Sequence, residues 1–206
     1  MPDYYRDLAV DYHWIFADEI VNPPGVIGGT SVSSREFIRS VVDALPPGAP
    51  VLDCACGIGT DAMALAHAGF QVTATDGGPA MVAQARRRLP ADVEVLTSRW
   101  EDLSAAVSGP YELVLCLGNS LVHTGSREAM VAALSGMRQV LSPTGTLIVD
   151  SRNWELLYRE RRRIVVGDRE PFTPADLEAR LAEAGFTVVG SSYRPENPQY
   201  AVAAKG

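Results

Sequence analysis

The sequence has few of the residues from which disulfide-rich or metal-bound proteins are built. Its 206 residues include three cysteines and three histidines. Cys54 and Cys56 are spaced as C-x-C and Cys116 stands apart, so these cysteines alone can form neither a disulfide framework nor a four-ligand zinc site. The histidines are equally dispersed. We therefore expect reduced thiols, a cytoplasmic protein and no bound metal.

Long apolar runs and excess positive charge are also absent. No segment approaches the roughly 18 apolar residues of a membrane span. Six charged residues interrupt the first twenty positions, where a signal sequence would need an apolar stretch. The net charge of −7 disfavours sequence-independent binding to nucleic acid or to an anionic membrane. We therefore expect neither of those partners.

What remains is a globular composition, 47% hydrophobic and 21% charged, in a chain long enough to bury a core. Short apolar strands alternate with helices along the chain. The predicted strands are 51–55, 70–75, 93–97, 112–117 and 146–150, and the predicted helices are 33–45, 61–68, 79–88, 126–141 and 174–184. This alternation predicts an α/β fold with a parallel sheet covered by helices on both faces.

The pattern changes near the carboxyl terminus. Strands are predicted at 187–192 and 200–204, and the short Pro- and Asn-containing connection between them cannot hold a helix. Two strands joined in this way must run antiparallel. The sequence therefore predicts a hairpin at one side of an otherwise parallel sheet.

A glycine-containing loop lies between the first strand and its helix. Gly57 and Gly59 let the backbone turn tightly and approach a ligand at that place. Asp76 ends the next strand, nineteen positions after Gly57, where a carboxylate can accept both hydroxyls of a ribose. The loop and the acid together indicate a nucleoside-containing cofactor.

Two kinds of cofactor are compatible with the glycine pattern of this loop. Gly57-x-Gly59-x-x-Ala62 also satisfies a loose dinucleotide pattern, which would make the protein a nicotinamide oxidoreductase. A dinucleotide would place its pyrophosphate beside Asp61 and Asp53, whose charges would repel it. S-adenosylmethionine instead carries a sulfonium and an α-ammonium, both cations. The charges favour S-adenosylmethionine, the predicted hairpin points the same way, and Asp53 becomes a candidate cofactor-binding residue.

The sequence resembles the class I S-adenosylmethionine-dependent methyltransferases, and within them most closely the glycine and sarcosine N-methyltransferases. The likeness lies in Val51-Leu52-Asp53-Cys54-Ala55-Cys56-Gly57, Cys116-Leu117-Gly118-Asn119-Ser120, His123 and Asp150-Ser151-Arg152-Asn153-Trp154. It implies a Rossmann-like sheet of seven strands in the order 3-2-1-4-5-7-6, with strand seven antiparallel. It also implies methyl transfer to the amine of glycine, sarcosine or a similar small molecule, with S-adenosylhomocysteine as the product.

The resemblance implies a set of cofactor contacts. Besides Asp53, they are Trp14, Ala55, Gly57, Gly59, Asp76, Arg99, Trp100, Leu117 and His123. The loop residues would line the methionine part of the cofactor and Asp76 would bind the ribose. Arg99 stands where the family more often has Asn or Asp in the adenine-contacting turn.

The methyl acceptor needs a different kind of residue. For a glycine-like substrate, the protein must hold a carboxylate and leave the amine directed at the methyl group. A guanidinium grips a carboxylate at two points, and Arg152 follows the fifth strand, close to the glycine loop in the predicted sheet. We expect Arg152 to bind the carboxylate, Asn119 to orient the substrate and Tyr5 to close over it.

The resemblance implies one domain over 1–206. Its parts are an N-terminal cap and helix (1–45), a cofactor-binding core (46–154), a shortened lid or linker (155–172) and a C-terminal helix and hairpin (173–206). The short lid leaves open a more exposed pocket, closure by a second subunit in a homo-oligomer, or a shortened chain. A methyltransferase for another small molecule and a non-catalytic cofactor-binding module are the alternative functions.

Overall fold

The structure is a computed structural model that describes residues 32–160 and 171–206. Its helices are α1 (Val32–Val42), α2 (Thr60–His67), α3 (Pro79–Arg88), α4 (Leu103–Ala106), α5 (Arg127–Gln139), α6 (Trp154–Arg159) and α7 (Pro174–Glu183). Its strands are β1 (Pro50–Asp53), β2 (Gln71–Asp76), β3 (Glu94–Thr97), β4 (Tyr111–Cys116), β5 (Leu141–Arg152), β6 (Thr187–Ser191) and β7 (Gln199–Lys205). Two 3₁₀ turns, Trp100–Asp102 and Ser120–Thr124, follow β3 and β4.

The seven strands form one sheet in the order β3-β2-β1-β4-β5-β7-β6. Strands β1 to β5 pair in parallel, whereas β7 runs antiparallel to both β5 and β6. The predicted strand order and the terminal hairpin are therefore confirmed. A dinucleotide fold would normally place a parallel strand at this side of the sheet.

Strand β5 is longer than the predicted 146–150, because it begins at Leu141 and ends at Arg152. Pro143 and Gly145 read as turn residues in the sequence. In the structure the register between β4 and β5 shifts after the pair Tyr111 and Leu141, so these residues sit at an irregularity of the ladder. Such bulges accept residues that an ordinary strand rejects.

Each face of the sheet has its own apolar core. Helices α5, α6 and α7 cover one face, where Leu134 and Trp154 are buried. Helices α1, α2 and α3 cover the other, where Ile38 and Leu65 are buried. Side chains of β4 enter both cores in alternation, which explains its nearly continuous apolar sequence. The three cysteines are buried and free.

None of the helices in the described ranges has the length and apolar character needed to cross a bilayer.

Helix α5 approaches the turn after β3 very closely. A Cβ on Gly136 would overlap the carbonyl oxygen of Trp100 and lie 3.2 Å from the Cα of Glu101. A glycine is therefore required in the middle of this helix, where it is otherwise unfavourable. The contact matters for the site, because the indole Nε1–H of Trp100 donates a hydrogen bond of 2.7 Å to the carbonyl of Cys54 at the end of β1.

Replacement of Gly136 by alanine tests this close approach. Alanine normally stabilises a helix by up to about 1 kcal/mol over glycine, but here the overlap with backbone should dominate. We expect Gly136→Ala to lower the free energy of unfolding by about 1–3 kcal/mol, measured by urea denaturation. Ser135→Ala on the same helix is the control and should change stability little. An equal or higher stability of Gly136→Ala would contradict the packing described.

Candidate active site

The glycine loop is tied to the next strand by Asp76. Its Oδ2 accepts a hydrogen bond of 2.9 Å from the backbone N–H of Gly57, and its Oδ1 accepts one of 2.7 Å from Gly78. Gly57 and Gly59 have φ angles of 52° and 88°, in the left-handed region that favours glycine. A Cβ on Gly59 would also come within 2.9 Å of the Leu89 side chain. These positions therefore require glycine for the path of the backbone.

Asp53, at the end of β1, is a second acid beside this loop. Its Oδ1 accepts a weak hydrogen bond of 3.3 Å from the N–H of Ala55. Its Oδ2 is buried and has no hydrogen bond within the described residues, although the N–H of Ala62 faces the carboxylate. Burial, reinforced by the charge of Asp61, raises the pKa of Asp53 well above its usual range. Asp53 and Ala55 are predicted from the sequence to lie in the cofactor site, and in the structure both lie next to Gly57.

The turn after β3 lies beside Asp76. An open cleft of about 310 Å³ is lined by Gly77, Thr97–Arg99, Asp102, Ala105 and Ala106. The guanidinium of Arg99 turns outward and pairs with Glu101 at 2.6 Å. Trp100 packs against the core beneath and holds the carbonyl of Cys54. The structure thus gives Trp100 a supporting role next to the loop, and its predicted contact with a cofactor stays a prediction.

The segment after β4 makes an unusual turn. Gly118 and Asn119 both have positive φ, 76° and 58°. Leu117 is buried, and its carbonyl accepts a hydrogen bond of 2.7 Å from the Ser120 hydroxyl. His123 is exposed in the 3₁₀ turn that follows. All of these lie at the carboxyl end of β4, the side of the sheet that also carries the glycine loop.

Arg152 ends β5 and is exposed. Its backbone N–H donates to the Oδ1 of Asn119 at 3.0 Å, so these two predicted substrate residues are in contact. Within the described residues, no ion pair or hydrogen bond engages the guanidinium. Its neighbour Asn153 is fully buried, caps α6 through the N–H of Leu156, and donates to backbone carbonyls between 194 and 197. In the Arg-Asn pair, Asn153 is therefore structural, whereas the guanidinium of Arg152 is exposed.

Asp150 and Gln199 were not among the site residues predicted from the sequence. Asp150 is fully buried, and its Oδ1 accepts a hydrogen bond of 2.7 Å from the backbone N–H of Asn119. Its Oδ2 accepts one of 2.8 Å from Nε2 of Gln199 on β7. Burial, with a smaller contribution from Asp61, raises the pKa of Asp150 to about 7. The alternation of β5 could have indicated that Asp150 points inward, whereas no sequence signal indicated Gln199.

The predicted residues are thus brought to one edge of the sheet, from the ends of β1, β2, β4 and β5. Tyr5 and Trp14 lie outside the described residues. Within the described ranges, no group of three or more His, Cys, Asp or Glu side chains is arranged to hold a metal ion.

The glycine loop, the acid after β2 and the antiparallel β7 coincide in one sheet, and residues 51–145 match the family model of the methyltransferase domain. Residues 51–145 of the chain therefore resemble a methyltransferase domain. The resemblance inferred from the sequence is thereby confirmed, and S-adenosylmethionine as the cofactor is supported by similar solved structures, one of which contains S-adenosylhomocysteine.

Two relatives of this chain are named as glycine-type N-methyltransferases. The chain is 34% identical over 131 residues to the glycine/sarcosine N-methyltransferase of Parasynechococcus marenigrum (strain WH8102). This alignment covers 62% of this chain and 46% of that protein. It is 33% identical over 173 residues to the glycine N-methyltransferase of Homo sapiens, which covers 75% of this chain and 56% of that protein. The similarity thus spans about half the length of these relatives.

A solved structure supports the fold independently. The S-adenosylmethionine-dependent methyltransferase from Clostridium acetobutylicum ATCC 824 superposes with a TM-score of 0.75 over 98% of both chains, at 13% sequence identity. At this identity the likeness concerns the fold of this chain and not its substrate.

The raised pKa of Asp150 predicts a pH-dependent stability. An unfolded aspartate has a pKa of about 3.9, so the folded protein keeps the Asp150 proton up to about pH 7, where the unfolded chain has lost it. The resulting stabilisation is present at pH 4 and is lost as the pH rises through 7. Between pH 5.5 and 8, Asp150 alone should remove about 2 kcal/mol from the free energy of unfolding.

Denaturation of the ligand-free protein at both pH values measures this loss. Asp150→Asn, which cannot titrate, should show a pH dependence smaller by that amount. Asp176→Asn is the control, because hydrogen bonds from Thr173 lower the pKa of Asp176 and keep it ionised throughout. The same slope in wild type and Asp150→Asn would show that Asp150 does not titrate in this range.

Proposed function

We propose that this chain binds S-adenosylmethionine at the carboxyl ends of β1, β2 and β4 and transfers its methyl group to the amine of a small amino-acid-like molecule such as glycine or sarcosine. The observation that carries the proposal is the joining of the glycine loop to Asp76 beside further acids. Both relatives are named for methyl transfer to glycine, which supports the acceptor class.

The charge around the loop suits this cofactor. The negative charges of Asp53 and Asp61 repel each other across the start of α2. One oxygen of Asp53 has no hydrogen bond within the described residues. A cationic ligand group nearby would compensate these charges, whereas a pyrophosphate would add to them. The α-ammonium and the sulfonium of S-adenosylmethionine are such groups. Asp53 would therefore stabilise the methionine end of the cofactor.

The ribose and the base have places in the same geometry. Each carboxylate oxygen of Asp76 accepts one backbone N–H and retains a further lone-pair direction for a ribose hydroxyl. The cleft between Gly77 and Ala106 continues from Asp76 and would receive the adenine. Because Arg99 pairs outward with Glu101, the base would contact the backbone of Ser98 and Arg99 and the side chain of Asp102. Leu117 and His123 would lie on the other side of the nucleoside.

The cofactor supplies an activated methyl group, so the protein needs to provide alignment and exclusion of water. Arg152 would hold the acceptor carboxylate with its guanidinium, and the Asn119 amide would orient the acceptor amine. The neutral amine nitrogen forms a bond to the methyl carbon while the carbon–sulfur bond breaks. The amine then loses a proton, and S-adenosylhomocysteine is left.

The ribose contact is tested with Asp76→Ala. Loss of charge-assisted hydrogen bonds should weaken binding of S-adenosylhomocysteine by about 1.5–3 kcal/mol, or roughly ten- to hundredfold, measured by calorimetry. Since Asp76 also holds the loop, the 2′,3′-dideoxy analogue serves as the control ligand. It should bind wild type and Asp76→Ala with nearly equal affinity if the ribose hydroxyls carry the effect. Equal losses for both ligands would leave Asp76 a role in the loop alone.

The acceptor contact is tested with Arg152→Lys, which keeps the charge but loses the planar fork. With glycine or sarcosine as acceptor, kcat/KM should fall at least about tenfold, while the dissociation constant of S-adenosylhomocysteine stays within twofold. Arg87→Lys, an exposed substitution on α3, is the control and should leave both values unchanged. Full activity of Arg152→Ala on a carboxylate acceptor would remove Arg152 from the site.

A further inference from the structure

Asp150 is a buried carboxylate that the proposed methyl transfer does not use. It lies at the end of β5, with hydrogen bonds of 2.7 Å from the backbone of Asn119 and 2.8 Å from the side chain of Gln199. It therefore joins β5 to the turn after β4 on one side and to β7 on the other. A buried acid is costly to ionise, so its presence at this place calls for a reason.

The turn that Asp150 holds is conformationally demanding. Asn119 adopts the left-handed conformation with φ 58° and ψ 33°, a region that L-residues other than Asn and Asp rarely visit. Its backbone N–H is fixed by Asp150, and its side-chain Oδ1 accepts from the N–H of Arg152 at 3.0 Å and from the hydroxyl of Ser151 at 3.3 Å. The backbone and the side chain of Asn119 are thereby both hydrogen-bonded to the last residues of β5. We call the hydrogen bonds that join Asp150 and its neighbours on β5 to Asn119 and Gln199 the clamp. Within residues 32–160 and 171–206, the amide nitrogen of the Asn119 side chain donates no hydrogen bond.

Gln199 extends the clamp to the antiparallel strand. It pairs directly with Arg152 across β5 and β7, and opposite residues in a ladder point to the same face of the sheet. Its Nε2 reaches the Asp150 oxygen that Asn119 does not use. One carboxylate thus sets the relative positions of three segments that carry Asn119, Arg152 and Gln199.

We propose that Asp150 is a positioning residue of the methyl-acceptor subsite, whose ionised carboxylate orients the Asn119 turn and the Arg152 end of β5. The inference rests on the proposed function for its substrate, but the geometry of the clamp is independent of it. Asp150 acts through Asn119 and Arg152 and does not touch the reacting atoms.

The protonation of Asp150 controls the strength of these hydrogen bonds. An ionised carboxylate accepts both the Asn119 N–H and the Gln199 amide. A protonated one turns a hydroxyl oxygen, which is a weaker acceptor, towards one of these two donors, and that hydrogen bond is weakened. Among the described residues, Asp61 in the first turn of α2 and Tyr200 on β7 are the titratable groups coupled to Asp150, while Gln199 and the backbone N–H groups of Gly118 and Asn119 are neutral. With a pKa of about 7, the clamp is complete above neutral pH and loosened below it.

Kinetics of Asp150→Asn test the positioning role. The amide places an NH₂ against one of the two donors, so KM for glycine or sarcosine should rise roughly tenfold while the dissociation constant of S-adenosylhomocysteine changes less than twofold. The ratio of wild-type to variant kcat/KM at each pH cancels the titration of the acceptor amine. This ratio should be largest above pH 8 and fall towards one below pH 6. Asp176→Asn, a distant helix-cap substitution, is the control and should behave as wild type.

A compensating variant guards against mere misfolding. In the Asp150→Asn/Gln199→Glu double variant, the donor and the acceptor exchange places between the two positions, so the bond between β5 and β7 can form again. Its KM should return at least halfway towards the wild-type value. Equal losses of acceptor and cofactor binding in Asp150→Asn, without recovery in the double variant, would mean a general structural role and would overturn the proposal.

A spectroscopic titration separates this proposal from the proposed function. In the ¹⁵N-labelled protein bound to S-adenosylhomocysteine, the amide signals of Asn119 and Arg152 and the side-chain signals of Gln199 should titrate together near pH 7, and they should not do so in Asp150→Asn. Signals that stay fixed between pH 6 and 8 would overturn the proposal. If they titrate but no amine is methylated, the clamp stands and the proposed acceptor is wrong.

Discussion

The hydrogen bond between the carboxylate of Asp76 and the backbone of Gly57 is the contact on which the site depends. It joins the loop after β1 to the end of β2, and so converts two neighbouring strand ends into one ligand-binding edge. The same carboxylate holds Gly78 at the start of α3. Trp100 supports the loop from the opposite side through the carbonyl of Cys54. Without these two supports, glycines with positive φ would leave the loop free to sample many conformations.

The buried acidic residues at the carboxyl ends of the strands make the folded protein less stable than uncharged residues would. Burial raises the pKa of Asp53, Asp76 and Asp150, so ionising each of these groups costs more free energy in the folded protein than in water. A cationic cofactor would compensate Asp53, whereas backbone amides partly compensate Asp76, and Asn119 and Gln199 partly compensate Asp150. Functional sites often retain such groups where a stabilising substitution would be available. The acids here are therefore better explained by ligand binding than by folding.

Much of this fold could be predicted from the sequence, because its signals are local. The short connection before β7 required an antiparallel pair, and the position of Asp76 relative to Gly57 followed from parallel strands ending at one edge. The length of β5 could not be predicted, since Pro143 and Gly145 act as strand residues only because the ladder with β4 is irregular there. The 3₁₀ turns after β3 and β4 were missed because they depend on tertiary contacts such as the one between Gly136 and Trp100.

The residues of the candidate site also differ in whether the sequence alone could predict them. The glycines and acids next to strand ends could be proposed from their spacing, and Arg152 from its place after the fifth strand together with the resemblance to glycine-type enzymes. Gln199 could not, because its contact with Asp150 depends on the register between β5 and β7, which pairs residues far apart in the sequence. Strand β7 lies between β5 and β6 and runs against them, so its first residue, and not its last, meets the carboxyl end of β5. The reversed strand that distinguishes this sheet from a dinucleotide fold thus also supplies the side chain that completes the clamp on Asp150, and the topology contributes directly to the proposed acceptor subsite.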